Sequence, residues 1–363
     1  MSRKGFCLTL VGGSVRDFLL TGRLSHDLDF EIKHLFEYDE ARWMRMLQNL
    51  FDKLQDEFNV SIKHKGVGVY TLELSGFDLE FSSPRIEIFK AGEIGHLNFE
   101  PKFISNLSTA EAFKRRDFTF NAIGIFFGVA GADDEFTIVD PYNGVDALEA
   151  KELRAISSDF FLDPVRFLRM IRFSEKFNFS IGDSLKKELG KFNLQGLGIF
   201  HFYQEFKKSK SINFFSIFFK LVLEHNISLS KEIEKLRFLK DLRDISTGDR
   251  GELFFALQSF TIEQKTILIE CFNLKKKLFQ GYLKSFQIIE KYRHEGTIDE
   301  ELVSTFEVIY EANLATEFSI IDEMKYREFL TLIKNKPKFQ NQNDKNSFYQ
   351  SLVTSLARQN SPK

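Results

Sequence analysis

Cysteine, proline and tryptophan are scarce in this chain of 363 residues, which has two, six and one of them. Cys7 and Cys271 stand far apart with no metal-ligand spacing, so neither a disulfide framework nor a zinc site is expected, and a reducing cytoplasm is the simplest setting. Long apolar runs are also missing. The most apolar stretch, Ile212–Leu223, is broken by Lys220 and falls short of the roughly 20 residues that span a bilayer. The run after Met1-Ser2-Arg3-Lys4 is too short for a signal-peptide core, so membrane and secretory readings drop out. Neither sign of charge dominates: 50 Lys+Arg against 52 Asp+Glu leave a net charge of −2. This argues against a polybasic tail but not against local basic clusters, on which phosphate affinity depends.

What is abundant is phenylalanine, with 43 residues. It recurs on both helical and strand spacings, which reads as packing rather than base stacking. The length, at about 150 residues per domain, predicts two or three globular domains.

The first third alternates strands and helices. Phe6–Val11 is an apolar run ending at Gly12-Gly13, after which Val15, Phe18 and Leu19 share a helical face. Leu28–Ile32 alternates, with Leu28, Phe30 and Ile32 on one side and Asp27, Asp29 and Glu31 on the other. Trp43, Leu47, Leu50, Phe51, Leu54 and Phe58 mark an amphipathic helix. Val67–Leu74 and Phe77–Phe81 read as a hairpin turning at Ser75-Gly76, with Asp78 and Glu80 on one face. A loop region containing Pro84, Gly92, Gly95 and Pro101 follows, then a helix carrying Lys114-Arg115-Arg116, and a last strand at Phe136–Val139. From about Asp159 helical periodicity takes over. Asn335–Asn346 reads as an exposed connector before a short final helix.

Residues two apart on a strand point the same way, so Asp27 and Asp29 can converge on one ion. Their hard oxygens suit Mg²⁺, which keeps waters and takes further ligands from substrate phosphates. Immediately upstream, Gly12-Gly13-Ser14 lies between strand and helix, where backbone N–H groups approach a phosphate, and Arg16 in the first turn adds a contact. Arg115 and Arg116, near Asn121, are suited to clamping a triphosphate. Arg166, Arg169 and Arg172, spaced by three, run along one helical face.

Val11-Gly12-Gly13-Ser14-Val15-Arg16-Asp17 followed by Asp27-Leu28-Asp29 resembles the opening motif of the class II nucleotidyltransferases, the bacterial tRNA CCA-adding enzymes and poly(A) polymerases. Lys114-Arg115-Arg116-Asp117-Phe118-Thr119-Phe120-Asn121-Ala122 resembles that family's second signature, Asp140-Pro141 with Gly144 its third, and the run from Asp163 to Phe173 its nucleotide-reading one. The resemblance covers Leu10 to Ile181. It implies an α/β head of polymerase-β-like nucleotidyltransferase fold, a mixed sheet with helices, followed by an all-α C-terminal part. It also implies that Asp27 and Asp29 hold the catalytic metals, that Glu80 is the third carboxylate with Asp78 in reserve, and that Asp163 and Arg166 meet the base edge of CTP or ATP. The chain departs from the family at Leu162, where Glu is usual, at Ala112, where Asp is usual, and at Phe200-His201, where Glu-Arg is usual, while Glu205 fits a later acid. The seven histidines form neither a His-x-x-x-His pair nor a His-Asp dyad beside a second histidine, so the metal-dependent phosphohydrolase appended in some relatives is not expected.

The expected division is a catalytic head over 1–150, a base-reading helical neck over 151–225, and an RNA-binding helical body and tail over 226–363. Lys207-Lys208 with Lys210, and Lys275-Lys276-Lys277, are candidate RNA contacts, although a solvated helix face is the commoner origin of such runs. The resemblance implies Mg²⁺-dependent addition of C and A to tRNA from CTP and ATP. Poly(A) synthesis from ATP alone and a catalytically silent RNA-binding protein are the alternatives, and the oligomeric state is not legible.

Overall fold

The structure is a computed structural model that describes residues 5–66, 68–89, 99–127, 136–242, 260–274, 276–311, 324–334, 336–337 and 340–358. It separates into two compact units, residues 1–245 and 246–363. The expected head and neck both fall in the first, which continues past residue 225 to residue 245.

The first unit is built on a mixed seven-stranded sheet. Its strands are β1 (Phe6–Val11), β2 (Asp27–His34), β3 (Ile62–Gly66), β4 (Val69–Leu74), β5 (Phe77–Ser82), β8 (Gly124–Phe127) and β9 (Phe136–Val139), in the order β3-β4-β5-β2-β1-β8-β9. Only the β2–β5 pairing is parallel. The chain makes that crossover through α2 (Glu40–Phe58), whose buried Trp43, Leu47 and Phe51 pack with Phe6, Ile32, Tyr70 and Phe81. Asp39 caps α2 by accepting the Arg42 N–H, and Trp43 Nε1 donates to Ser83 Oγ at 2.7 Å. The expected hairpin is present, and β3 extends it by one strand.

Two local expectations change. The stretch from Pro84 to Pro101, expected as loop, contains an antiparallel ribbon of β6 (Arg85–Phe89) and β7 (Phe99–Phe103). Pro101 is tolerated because a two-stranded ribbon leaves each strand an outer edge that needs no N–H. Gly92 and Gly95 lie outside the described residues. The helix expected to carry the basic triplet, α3 (Thr109–Lys114), stops at Lys114. Arg115 and Arg116 therefore sit in the turn leading to a 3-10 segment at Thr119–Asn121, and are not arrayed on a helical face.

The third motif proves structural. Asp140 accepts the Gly144 and Val145 N–H groups at 2.7 and 2.9 Å and so starts α4 (Gly144–Glu149). A Cβ on Gly144 would stand 2.3 Å from the Thr119 carbonyl oxygen, so only glycine allows this approach. Beyond α4, a short parallel bridge joins β10 (Glu152–Leu153) to β11 (Ser180–Ile181) around α5 (Pro164–Phe177). Then come α6 (Asp183–Glu188), α7 (Ile199–Ser209), α8 (Asn213–Glu224) and α9 (Lys231–Glu234).

Phenylalanine does much of the packing here. Phe118 and Phe120 stack at 5.3 Å, and Phe173 of α5 meets both edge-on at 5.6 and 5.5 Å, joining helix to head. Phe202 of α7 similarly meets Phe214 and Phe218 of α8.

The second unit is helical, with helices at Ile262–Phe272, Lys276–Glu295, Glu300–Glu311, Met324–Ile333 and Gln342–Arg358. Val303, Phe306, Phe329, Leu352 and Leu356 lie in its core. The final helix is not short: it has 17 residues and begins inside the expected connector, started by Asn341, whose side chain accepts the Asp344 N–H. Leu352 and Leu356 anchor it to that core, a long-range gain that polar local composition does not reveal. Lys275 lies outside the described residues, as do the side chains of Lys276 and Lys277. Among the described residues no helix is long and apolar enough to cross a membrane.

Candidate active site

Parallel pairing of β2 with β5 sets the acidic half of the site. The register puts Asp27 beside Asp78 and Asp29 beside Glu80, so four carboxylates project from one sheet face. They line a cavity of about 890 Å³ together with Lys63 and Lys65. Lys65 Nζ stands 3.5 Å from Glu80 Oε2, an exposed pair that offsets little of the repulsion. Burial, then the charges of Glu80 and Asp27, raise the Asp29 carboxyl above the ordinary carboxylate range, with Arg116 opposing them. Carboxylates crowded in this way are short of positive charge, and their donor set fits a hard divalent cation. Among the described residues no three acidic, histidine or cysteine side chains gather closely enough to hold a metal by themselves.

Glu31, on the acidic side of β2 with Asp27 and Asp29, is 2% exposed. Its charged neighbours are Arg115, Arg116, Lys33 and Arg85, most of them remote in sequence, and burial raises its carboxyl. Strand alternation places a side chain on a face but says nothing of what covers that face.

The second half is a basic cleft of about 610 Å³, and Asp29 lines both cavities. Gly12, Gly13, Arg16, Arg115, Arg116, Asn121, Asp163, Arg166, Arg169 and Arg172 all line it. Ser14 is not among the lining residues; its buried hydroxyl donates to the Val11 carbonyl at 3.4 Å. Gly12 starts α1 (Gly13–Thr21) at φ +82°, and a Cβ there would lie 3.0 Å from Arg116 Nη1 and 3.6 Å from Asp29 Oδ2. The glycine thus lets the acid and the guanidinium close over the turn.

The buried face of α1 is Ser14, Val15 and Arg16, whereas Phe18 and Leu19, expected inward, are exposed. Arg16 displaces them because its guanidinium lies over the Phe177 and Phe173 rings at 4.9 and 5.2 Å. It also donates to Asn121 Oδ1 at 2.6 Å and to Asp17 Oδ1 at 2.7 Å.

Asp117, which sequence reasoning left without a role, ties the cleft together. It accepts from Arg169 Nε at 2.6 Å, and from Asn121 Nδ2 and the Phe118 N–H at 2.8 Å. Burial alone would raise its carboxyl, but Arg169 and these hydrogen bonds prevail and hold it down at about 2. Asp163 caps α5 by accepting the Val165 N–H at 2.9 Å, with Oδ2 at 3.8 Å from Arg166 Nε. Arg166 donates to the carbonyls of Arg115 and Asp159 at 2.7 and 3.2 Å, locking α5 to the basic turn. Arg172 pairs with Glu205 at 2.6 Å, and Lys208 reaches the same carboxylate at 2.9 Å.

Burial, then the charges of Arg116 and Arg85, push the Arg115 guanidinium down to about 10; burial lowers Arg116 as well. The Nε groups of Arg85, Arg115 and Arg116 are buried without an acceptor. A cleft with that excess of donors suits a multiply charged anion with several oxygens. Arg85 and Glu87 also line the cleft and were not singled out as site residues from the sequence, and Lys208, expected as an RNA contact, lines it too. The alternation Arg85-Ile86-Glu87-Ile88 was the available strand signal.

Residues 8–154 match the family model described as the Poly A polymerase head domain. The CCA-adding enzyme of Francisella tularensis is 35% identical over 188 residues, covering 50% of this chain and 45% of that one. The multifunctional CCA protein of Pseudoalteromonas atlantica is 32% identical over 190 residues, covering 52% and 40%. The match thus spans about half of this chain and less than half of each relative. Among solved structures, a tRNA-processing enzyme with CTP aligns over 97% of this chain and 96% of its own at TM-score 0.58 and 21% identity. A complex of CCA-adding enzyme with ATP aligns over 97% and 86% at TM-score 0.56 and 16% identity. At such identities these two show a shared fold.

Proposed function

We propose, for a chain whose residues 8–154 belong to the Poly A polymerase head family, that it extends RNA 3′ ends without a template, adding C and A from CTP and ATP to tRNA. The observation that carries this reading is Asp29 standing on the border between an acid-lined cavity and a cleft rich in guanidinium groups. The nucleotide takes the basic cleft, its phosphates toward Gly12, Gly13, Arg115 and Arg116 and its base toward Asp163 and Arg166. Arg169 and Arg172 form the wall between them, while Arg16 and Asn121 fix the turn. The RNA terminus takes the acidic side. Its 3′ oxygen forms a bond to the α-phosphorus as the α–β phosphoanhydride bond breaks and pyrophosphate leaves.

Nucleotidyltransferases of this family generally use a divalent metal. Asp27 and Asp29, with Glu80 adjacent, would hold Mg²⁺, which when bound would activate the 3′ hydroxyl and neutralise the phosphates. The chain's own groups hold both reactants in line at Asp29, which converts a bimolecular encounter into a positioned one. The names of the curated relatives favour CCA addition over poly(A) synthesis. We assign the helical part over 226–363 to RNA binding and the protein to the cytoplasm, where Cys7 and Cys271 stay reduced.

The test supplies tRNA transcripts ending before CCA or after CC, and an unrelated RNA, with Mg²⁺ and one nucleotide at a time. C then A incorporation that stops at CCA is the expected result. ATP tails on any RNA would establish poly(A) synthesis instead, and no incorporation by folded protein would leave only RNA binding.

A further inference from the structure

We propose that Arg85, on the β6–β7 ribbon, is a third guanidinium for the nucleotide's phosphates beside Arg115 and Arg116, and that Glu87 positions it. This rests on the reading of the basic cleft as the nucleotide site. Arg85 and Glu87 are two apart on β6 and therefore share a face. Both line the cleft with Gly12 and Arg116. Arg85 Nη2 donates to Glu87 Oε1 at 3.0 Å, with side-chain exposures of 23% and 8%. An Arg–Glu pair on an open ribbon ordinarily stands in water, whereas this one is turned inward. The Phe99 ring, 5.9 Å from the Arg85 guanidinium carbon, borders it from the paired strand.

The bond to Glu87 leaves Arg85 Nε buried without an acceptor, the same condition found at Arg115 and Arg116. Arg85 is also a charged neighbour of both Arg115 and Glu31. Three guanidiniums that carry unsatisfied donors in one cleft are matched by an oxyanion with several oxygens, and a triphosphate has enough for all three. A nucleobase offers fewer acceptors and no charge. The ribbon thus contributes chemistry as well as a wall.

The experiment measures equilibrium binding of ATP, and separately of inorganic tripolyphosphate, to the full chain with Mg²⁺ and no RNA. Wild type is compared with Arg85→Ala, Arg85→Lys and Glu87→Gln, each checked by thermal melting. Removing a charge-assisted contact is expected to weaken both probes by about tenfold or more in Arg85→Ala. Arg85→Lys, which keeps the charge but loses the fork, recovers part of that loss, and Glu87→Gln shows a smaller one. In incorporation assays the change falls on KM for the nucleotide, with kcat preserved. Unchanged affinity in a folded Arg85→Ala variant overturns the proposal while leaving the nucleotide site standing. Loss of ATP binding with tripolyphosphate binding intact overturns the phosphate assignment. If wild type binds neither probe, the reading of the cleft falls as well. Should Arg85→Ala not fold, Arg85→Lys decides, and affinity equal to wild type for both probes refutes the role of the fork.

Discussion

Replacing Asp117 by asparagine tests whether the cleft is held by one buried charge. The carboxyl is held at about 2 against an ordinary 3.8. At roughly 1.4 kcal/mol per pH unit of difference, that contributes about 2 kcal/mol of stability at neutral pH. Because the folded value lies below the unfolded one, the contribution is complete above about pH 4 and disappears as pH falls through about 2. The substituted amide would keep a hydrogen-bond acceptor toward the Phe118 N–H but lose the attraction to Arg169. The reporter is built in: Trp43, the single tryptophan, is fully buried in the same unit as Asp117. Urea unfolding followed by its fluorescence should show Asp117→Asn less stable by about 2 kcal/mol at pH 7 and by only about 1 kcal/mol at pH 3. A loss under about 0.5 kcal/mol, or one that does not shrink with acid, would refute the argument.

Three further outcomes are expected. Asp29→Ala should cut nucleotide incorporation more than about 100-fold, a barrier increase of several kcal/mol, with no fall in melting temperature because it relieves carboxylate repulsion; residual turnover near wild type would count against the acid face. Gly12→Ala forces a side chain into φ +82° and presses on Arg116, so both stability, by about 1–3 kcal/mol, and nucleotide KM should suffer; an unchanged KM would show that the turn does not set the guanidinium. Gly144→Ala meets backbone at 2.3 Å and should lower stability by about 1–3 kcal/mol while the folded fraction keeps wild-type KM; a selective KM effect would return the third motif to the active site.

Much of the architecture could be read because its causes are local. The Gly12-Gly13 turn, the alternation of β2 and the Trp43–Leu47–Phe51 face each depend on residues within a few positions. The same holds for the pointing of Asp27 and Asp29 to one side. What escaped was decided at long range. Arg16 is buried because Phe173 and Phe177 arrive from α5, and this turns Phe18 and Leu19 outward. Glu31 is buried beneath arginines more than fifty residues away, and Asp117 gains its role only when Arg169 reaches it. The sequence between β6 and β7 contains Gly92 and Gly95, and β7 itself contains Pro101, all of which read locally as loop.

The interlocked rings of Phe118, Phe120 and Phe173 have a mechanical consequence. They bind α5, which bears Arg166 and Arg169 and is capped by Asp163, to the 3-10 segment that follows Arg115 and Arg116 through close-packed aromatic edges. On the proposed reading, the helix that meets the base and the turn that meets the phosphates are therefore parts of one stiff block. On the proposed reading, discrimination between pyrimidine and purine then resides in small rotations of individual side chains rather than in swinging of the helix.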